Sequence, residues 1–192
     1  MSEKRNVKII AFVGMPGAGK SSAVDYVSAK GYPKVYFGGV VLRAIEEAGL
    51  EQNQENEHLI REKLRAEEGK DVIVKRITKQ IQNLIEAGQN RIIADGLYSW
   101  TEYKHLKKAF PGEMNLVAIL APRSLRHRRL SLRPVRPLNP NEALERDWAE
   151  IENLEKGGPI AIADHYIIND GDLNQLYEQV DRELDSLNFY KI

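Results

Sequence analysis

Residues 14–21 combine three glycines with a lysine and a serine, in the order Gly-Met-Pro-Gly-Ala-Gly-Lys-Ser. The spacing is G-x-x-x-x-G-K-[ST], and it directly follows the apolar run Val7–Val13 and directly precedes a helical pattern. A glycine-rich turn lets successive backbone N–H groups wrap around a phosphate, and the helix adds its free N–H groups and positive dipole end. Lys20 would carry charge to the β- and γ-phosphates, and the Ser21 hydroxyl would ligate Mg²⁺. These residues predict a loop that binds ATP with Mg²⁺.

A second metal ligand is expected at the end of another strand. Asp95 closes the apolar segment Arg91–Asp95 and is followed by Gly96, which is the position of a Walker-B aspartate. The alternative is a strand-end aspartate that caps the next turn. The magnesium role is favoured because the phosphate-binding loop creates the need for a second oxygen ligand.

The elements that must position these residues are visible in the apolar pattern. Strands are predicted at Val7–Val13, Lys34–Phe37, Arg91–Asp95, Asn115–Ala121 and His165–Asn169. Helical patterns alternate with them, which indicates a mostly parallel sheet covered on both faces. The predicted fold class is α/β, a three-layer α/β/α P-loop NTPase with a five-stranded parallel sheet.

The helices have readable ends. One is predicted over Lys20–Lys30, a second over Asp71–Ala87 with a stop at Gly88, and a last one over about Leu173–Leu187. Ser99-Trp-Thr-Glu102 is a capping box that begins another helix.

Two stretches depart from the simple alternation. Residues 38–69 form a helical insertion, and residues 132–147 are rich in arginine and proline before a charged helix begins. We interpret residues 38–69 as an acceptor-binding insertion and residues 132–147 as a short lid, both able to close over substrates. The chain, residues 1–192, is predicted to be a single domain.

Composition narrows the function classes. Lys and Arg total 28, and so do Asp and Glu, so there is no basic excess of the kind that nucleic-acid binders show. The absence of cysteine excludes disulfides, thiolate metal sites and a cysteine nucleophile, and it fits a cytoplasmic protein. Residues 1–8 are polar without a signal-peptide pattern, and no apolar run is long enough to span a bilayer. We therefore expect neither nucleic acid nor membrane as a partner.

Several segments together resemble a known family. The phosphate-binding loop, Ala94–Leu97, the arginine-rich segment after Ala121 and the run Ala163–Gly171 resemble the nucleoside monophosphate kinase group. The run Ala-Asp-His-Tyr-Ile-Ile-Asn-Asp-Gly is most similar to the stretch near the adenine in dephospho-CoA kinases. As a whole, the sequence most resembles kinase-like proteins of archaea and bacteria related to dephospho-CoA kinase and adenylate kinase. The resemblance spans nearly the full chain.

The resemblance implies an acceptor site, with departures from the family pattern. Asp95-Gly96-Leu97 corresponds to the Asp-Gly-Phe of adenylate kinases near magnesium and acceptor, but Tyr98 and Ser99 replace their Pro-Arg. Arg43 matches an arginine that holds the acceptor phosphate. Dephospho-CoA kinases have Asp-Ala-Asp where this chain has Phe37-Gly38-Gly39. Since a hydroxyl acceptor benefits from a base and a phosphate acceptor does not, the missing acids favour a phosphate acceptor.

Six arginines lie within residues 123–136. Kinases of this group use lid arginines to neutralise the phosphoryl group in transit, and by position Arg129 and Arg133 are expected to do so here. Arg146 resembles a lid arginine that folds back on the phosphates. Arg123 and Arg126 are expected on a solvated basic helix face.

The remaining candidates stay open. Arg61 and Arg65 either face an acceptor phosphate or pair with Glu57 and Glu62 on an ordinary charged surface. The aromatic residues of 98–103 either stack on a base or belong to the core. The four histidines have no metal-ligand spacing and are interpreted as structural.

The expected site residues fall into four groups. The catalytic residues are Lys20, Asp95, Arg129 and Arg133. The ATP-binding residues are Gly14, Met15, Pro16, Gly17, Ala18, Gly19, Lys20, Ser21, Ser22, Asn169 and Gly171. The acceptor-binding residues are Gly39, Arg43, Gly96, Tyr98, Arg136 and Arg146. The metal ligands are Ser21 and Asp95.

Three functions are compatible with this sequence. The first is transfer of the γ-phosphoryl group of ATP to a nucleoside or deoxynucleoside monophosphate. The second is a hydroxyl kinase of the dephospho-CoA type, which the Asn169-Asp170-Gly171 run favours and Phe37 and Gly39 disfavour. The third is a regulatory P-loop ATPase that acts through a protein partner.

Overall fold

The protein is described by a computed structural model that covers residues 6–190. Its five strands are β1 (Lys8–Val13), β2 (Lys34–Tyr36), β3 (Arg91–Asp95), β4 (Met114–Leu120) and β5 (His165–Ile168). They form one sheet in the order β2-β3-β1-β4-β5, and every pairing is parallel. The expectation that residues 1–8 are polar and carry no signal-peptide pattern falls partly on residues 1–5, which lie outside the described residues.

Helices fill the connections between the strands. They are α1 (Lys20–Ser28), α2 (Phe37–Glu47), α3 (Gln54–Glu68), α4 (Val72–Glu86), α5 (Trp100–Ala109), α6 (Arg123–Ser131), α7 (Pro140–Glu152), α8 (Gly157–Ala161) and α9 (Leu173–Ser186).

Side chains of the central strand alternate between two cores, which makes three layers. Ile9 and Ala11 of β1 pack with the apolar sides of α2, α4 and α5, whereas Ile10 and Phe12 pack with those of α1 and α9. This alternation is the period of two that a strand buried on both faces must show. The predicted α/β/α fold class is confirmed.

Most of the predicted boundaries lie within one or two residues of the observed ones. The clearest difference is at Phe37, which was expected to end a strand. Strand β2 ends at Tyr36, and Phe37 begins α2 with its ring almost fully buried. The short strand and the start of the insertion are both apolar, so hydrophobicity alone does not separate them.

The parallel arrangement decides where a site can form. The carboxyl ends of all five strands meet at one edge of the sheet, and the loops that follow β1, β3, β4 and β5 therefore lie side by side. In open α/β sheets, ligands bind in the crevice outside these carboxyl ends. The described residues include no helix that is long and apolar enough to cross a membrane.

Candidate functional site

The glycine-rich loop connects the end of β1 to the start of α1. Gly17 has φ 78° and Gly19 has φ 104°, which are backbone conformations that side chains with a Cβ rarely adopt. A Cβ on Gly17 would lie 2.6 Å from the carbonyl oxygen of Arg126, and one on Gly19 would overlap the side-chain amide of Asn169. The loop is therefore held between α6 and the β5–α9 loop, with the N-terminus of α1 open toward a ligand.

Lys20 stands partly buried at the start of α1. Burial lowers its pKa to about 8; nearby Asp95 opposes this shift, while Arg146 and Arg133 add to it. Within residues 6–190 its ammonium group makes no ion pair. A buried cation surrounded by further cations is stabilised by an anionic ligand.

A cleft of about 540 Å³ opens over this loop. Its walls come from the loop, from the helices on either side of the 132–139 segment, and from the β5–α9 loop. The lining residues are Pro16, Gly17, Gly19, Lys20, Ser21, Ser22, Tyr98, Arg129, Leu130, Arg133, Arg146, Glu150, Lys156, Asn169, Gly171, Asp172 and Leu173. Five of these side chains are cationic and two are acidic, so the cleft is electrostatically suited to a polyanion.

Arg129 is committed to the β5–α9 loop. Its guanidinium donates to the carbonyl oxygens of Asn169 at 3.0 Å and Gly171 at 3.1 Å, and to the Asn169 side chain at 3.3 Å. The Asn169 amide in turn donates to the carbonyl oxygen of Ala18 at 2.7 Å. Arg129 thus joins the phosphate-binding loop to the β5–α9 loop, which we expect near the base of the nucleotide. The sequence-based expectation places this arginine at the γ-phosphate instead.

Arg126 corrects a prediction. It was expected on a solvated helix face, but its side chain is only 8% exposed, and it forms two 2.7 Å hydrogen bonds with Asp147. It also donates to the carbonyl oxygen of Pro16 at 3.1 Å. His127 adds a 3.0 Å contact to Asp147. The spacing of Arg126 and Leu130, which are both buried on α6, is the sequence signal that could have indicated this inward face.

Sequence reasoning missed a buried cluster on the opposite wall. Lys156, which is 1% exposed, pairs with Glu150, whose side chain is 5% exposed. The other carboxylate oxygen of Glu150 accepts from Nε of Arg146 at 3.2 Å. Lys156 follows a helix end and precedes two glycines, which is the pattern of a surface lysine, so nothing in the sequence marks it.

Tyr98 closes the cleft beside this cluster. Its ring centroid lies 4.6 Å from Nζ of Lys156, and its backbone N–H donates to Glu102 at 2.8 Å. The predicted capping box of Ser99 and Glu102 is present, and it fixes the turn after β3. Trp100 stacks on Tyr103 at 5.4 Å instead of lining the cleft.

The two residues expected to hold magnesium lie on neighbouring parts of the sheet edge. Ser21 is exposed in the first turn of α1, and Asp95 is half-buried at the end of β3, where it pairs with Phe12 of the neighbouring β1. Burial raises the pKa of Asp95, and Lys34 and Lys20 oppose the shift. Residues 6–190 contain no group of three acidic, histidine or cysteine side chains that could hold an ion. Two protein oxygens suit Mg²⁺, which takes its other ligands from phosphates and water.

Some expected acceptor residues lie elsewhere. Gly39 and Arg43 line a second depression of about 560 Å³ on α2, together with Glu46 and Leu50. Arg136 sits exposed in the 132–139 segment with φ 52° and is not part of the cleft wall. Gly96 is buried under the Tyr98 ring. The structure therefore does not bring Arg43 and Arg136 to the cleft that contains Lys20.

Other predictions about charged residues have mixed outcomes. Arg65 forms a 3.2 Å pair with Glu62, while its Nε is buried and has no hydrogen-bond partner among the described residues. His165 contacts Glu183 at 2.9 Å, and His127 contacts Asp147. Both histidines therefore contact a carboxylate of the protein.

The fold and the glycine-rich loop together define a P-loop protein with a kinase-like fold. The AAA domain family matches residues 10–153. UPF0200 proteins match over most of their length: that of Thermococcus gammatolerans is 34% identical over 90% of this chain and 91% of its own. That of Thermococcus kodakarensis is 31% identical over 93% and 97%. The chain belongs to the AAA domain family and is a member of the UPF0200 proteins.

Solved structures agree on the fold. The protein TT1252 of Thermus thermophilus superposes with a TM-score of 0.66 and 20% identity, over 97% of this chain and 98% of its own. Shikimate kinase of Bacteroides thetaiotaomicron superposes with a TM-score of 0.58 and 16% identity, over 94% and 98%. At these identities the likeness is one of fold.

Proposed function

We propose that this protein transfers the γ-phosphoryl group of ATP to a small acceptor that carries an anionic group, in the first place a nucleoside or deoxynucleoside monophosphate. One observation carries the proposal: the glycine-rich loop and Lys20 share a single cleft with the cations Arg133 and Arg146. Phosphoryl transfer needs little covalent chemistry from the protein, and its catalysis is mostly positioning and charge neutralisation.

Each side chain has a role in this account. The loop amides and Lys20 hold the donor phosphates, while Ser21 and Asp95 hold Mg²⁺. Bound Mg²⁺ would neutralise charge on the phosphates during transfer. Arg133 and Arg146, which lie close enough to Lys20 to influence its pKa, stabilise the phosphoryl group in transit. We assign Arg129 instead to the β5–α9 loop, which we expect near the base of ATP, because its guanidinium donates to Asn169 and Gly171.

The choice of a phosphate acceptor rests on the start of α2. The positions that carry acids in dephospho-CoA kinases hold Phe37, whose ring is in the core, and Gly39. Neither can accept a proton from a hydroxyl. An acceptor phosphate already supplies its nucleophilic oxygen and is attracted by the cationic cleft.

A hydroxyl acceptor is the second candidate, and Asp95 is the observation in its favour. Its pKa is raised by burial, and a base with a raised pKa is better matched to accept a proton near neutral pH. The similar folds include shikimate kinase and a gluconokinase of Sinorhizobium meliloti, whose named substrates carry hydroxyl groups.

The test is ADP formation from MgATP across all common ribo- and deoxyribonucleoside monophosphates, dephospho-CoA, shikimate and gluconate. We expect one or a few monophosphates to stimulate ADP formation well above the ATP-only rate. Lys20→Ala should reduce that stimulated rate on the order of a hundredfold or more. Stimulation by a hydroxyl compound alone would favour the second candidate. A slow rate that no acceptor changes would contradict both and favour a regulatory ATPase.

A further inference from the structure

The cations of the cleft lie at different places along the sheet edge, and the place of each indicates which substrate it can contact. The phosphate-binding loop follows β1, and the loop that Arg129 holds follows β5, so the donor extends from β1 toward β5. Tyr98 follows β3, which lies on the other side of β1. A cation beside Tyr98 is therefore on the side away from the donor base.

Lys156 is that cation. Its ammonium group is 4.6 Å from the Tyr98 ring, and its side chain lines the same cleft as Lys20. The lysine is held rigidly: its backbone N–H donates to the carbonyl oxygen of Glu150 at 3.2 Å, and α8 packs Gly158 directly against the Trp100 ring. A long side chain fixed by burial loses little further rotamer entropy when it meets a ligand.

The cations at this wall of the cleft outnumber the carboxylates that contact them. Glu150 is a single carboxylate that serves two cations, Arg146 and Lys156, at the wall of the cleft. Burial lowers the pKa of Lys156, Lys20 and Arg146 add to the shift, and Glu102 opposes it. An anion placed among these three cations offsets both the burial and the mutual repulsion.

We propose that Lys156 binds the anionic group of the acceptor, and that Glu150 holds Lys156 and Arg146 in position until the acceptor arrives. The inference rests on the proposed function, and it assigns to Lys156 the role that the sequence suggested for Arg43. Arg43 is an exposed residue of the separate α2 depression and cannot line the same cleft without a rearrangement.

The experiment compares Lys156→Met with Lys156→Arg and with Lys104→Met. Lys104 is the matched control, because it also lies over an aromatic ring, that of Trp100 at 5.7 Å, but is exposed and outside the cleft. The protein is saturated with Mg²⁺ and a non-hydrolysable ATP analogue. Calorimetry then gives the Kd of inorganic phosphate and of the best monophosphate acceptor. In separate assays with MgATP, steady-state kinetics gives the KM of that acceptor. The affinity for the ATP analogue is measured separately.

Lys156→Met should raise Kd and KM for the acceptor by about tenfold or more, which is the effect of losing a charge-assisted contact. The affinity for the ATP analogue should change less than about twofold, because the donor contacts are intact. Lys156→Arg should recover much of the loss, and Lys104→Met should behave as the parent protein. If Lys156→Met does not fold, the double variant Lys156→Met with Glu150→Gln removes both charges of the pair, and it is compared with Glu150→Gln alone, which loses the same contact to Arg146.

Two results would overturn the inference. Unchanged acceptor affinity in Lys156→Met would do so while the proposed function stands. Absence of any binding of phosphate or monophosphate to the parent protein would overturn both proposals. Conversely, phosphate binding that depends on Lys156, without turnover of any acceptor, would support this site and contradict the proposed kinase activity.

Discussion

At the residue scale, the phosphate-binding loop depends on how closely other backbones approach it. Gly17 faces the carbonyl group of Arg126, and Gly19 faces the Asn169 amide. These contacts couple the loop to α6 on one side and to the β5–α9 loop on the other. The loop is therefore shaped before a nucleotide binds, which lowers the conformational cost of binding.

Gly17→Ala should damage both stability and nucleotide binding. An alanine at φ 78° costs about 1 kcal/mol or more, and its Cβ would also press on the Arg126 carbonyl. Gly31→Ala is the control, because Gly31 has φ 96° but nothing within 4 Å of an added Cβ. Urea unfolding should show a larger loss of unfolding free energy for Gly17→Ala, and only that variant should lose ATP binding. Equal losses with ATP binding retained in both variants would refute this view of the loop.

Residues differ in how far the sequence predicts them. Lys20 and Ser21 are predictable because their motif is local and its spacing is the mechanism. Arg126 is not, because its partner Asp147 lies on another helix. Lys156 is not either: its partner Glu150 is only six residues away, but its burial beside Tyr98 depends on tertiary packing. Composition describes such residues only as charged, and charged residues are usually on the surface.

At the element scale, side-chain contacts join α6 to α7 and to the phosphate-binding loop. The Arg126–Asp147 pair joins the two helices, and Arg126 extends the connection to Pro16. The 132–139 segment, which contains Arg133, connects these two helices. The N–H of Leu138 donates to the carbonyl oxygen of Leu130 at 3.2 Å, which ties the end of this segment to α6.

Asp147→Asn should destabilise the protein by roughly 3–5 kcal/mol, the usual effect of leaving a buried partner charge uncompensated. Chemical unfolding at pH 7 measures this loss, with Glu145→Gln as an exposed control on the same helix. A difference between the two variants of less than about 1 kcal/mol would show that the pair does not fasten the helices.

The same pair gives a pH dependence with a defined sign. Hydrogen bonds and charge from Arg126 and His127 outweigh burial and lower the pKa of Asp147. A lowered carboxyl pKa stabilises the fold above the unfolded value of about 3.9, and the stabilisation is lost as the pH falls through the folded value. The stability difference between the parent protein and Asp147→Asn should shrink as the pH is lowered below about 4. A difference that stays constant between pH 7 and pH 3 would contradict the assignment.

Elements are predicted better than their exact ends. All five strands follow from short apolar runs, and the Ser99–Glu102 capping box marks the start of α5. The second capping box, Asn139 with Glu142 before α7, carries the same signal and could have been found. The placement of Arg43 could not, because the direction of α2 relative to the sheet depends on packing of Phe37, Val40 and Val41 into the core.

At the scale of the whole molecule, the segments that we assign to donor and acceptor lie along one edge of the sheet. The loop that Arg129 holds follows β5 and the phosphate-binding loop follows β1. Tyr98, with Lys156 beside it, follows β3. The sequence predicts two segments that close over substrates, the insertion of residues 38–69 and the lid of residues 132–147. Water competes with an acceptor for the γ-phosphoryl group, so we expect both segments to close when substrates bind.

Closure predicts a specific pattern of hydrogen exchange. With Mg²⁺, a non-hydrolysable ATP analogue and the best acceptor bound, exchange should slow in residues 38–69 and 132–147. Helix α9 beyond its first turn should change little, because it packs on the opposite core and serves as the internal reference. Uniform slowing across the chain, or none in either segment, would contradict closure.

The central claim is that the γ-phosphoryl group reaches a small acceptor rather than water. ³¹P nuclear magnetic resonance of the reaction with MgATP and the most stimulating acceptor tests it most directly. For a monophosphate acceptor, the account predicts that the monophosphate resonance falls by the amount of ATP consumed, that the diphosphate resonances rise by twice that amount, and that neither change occurs with Lys20→Ala. Inorganic phosphate as the sole phosphorus product beside ADP would contradict the account and identify the protein as an ATPase.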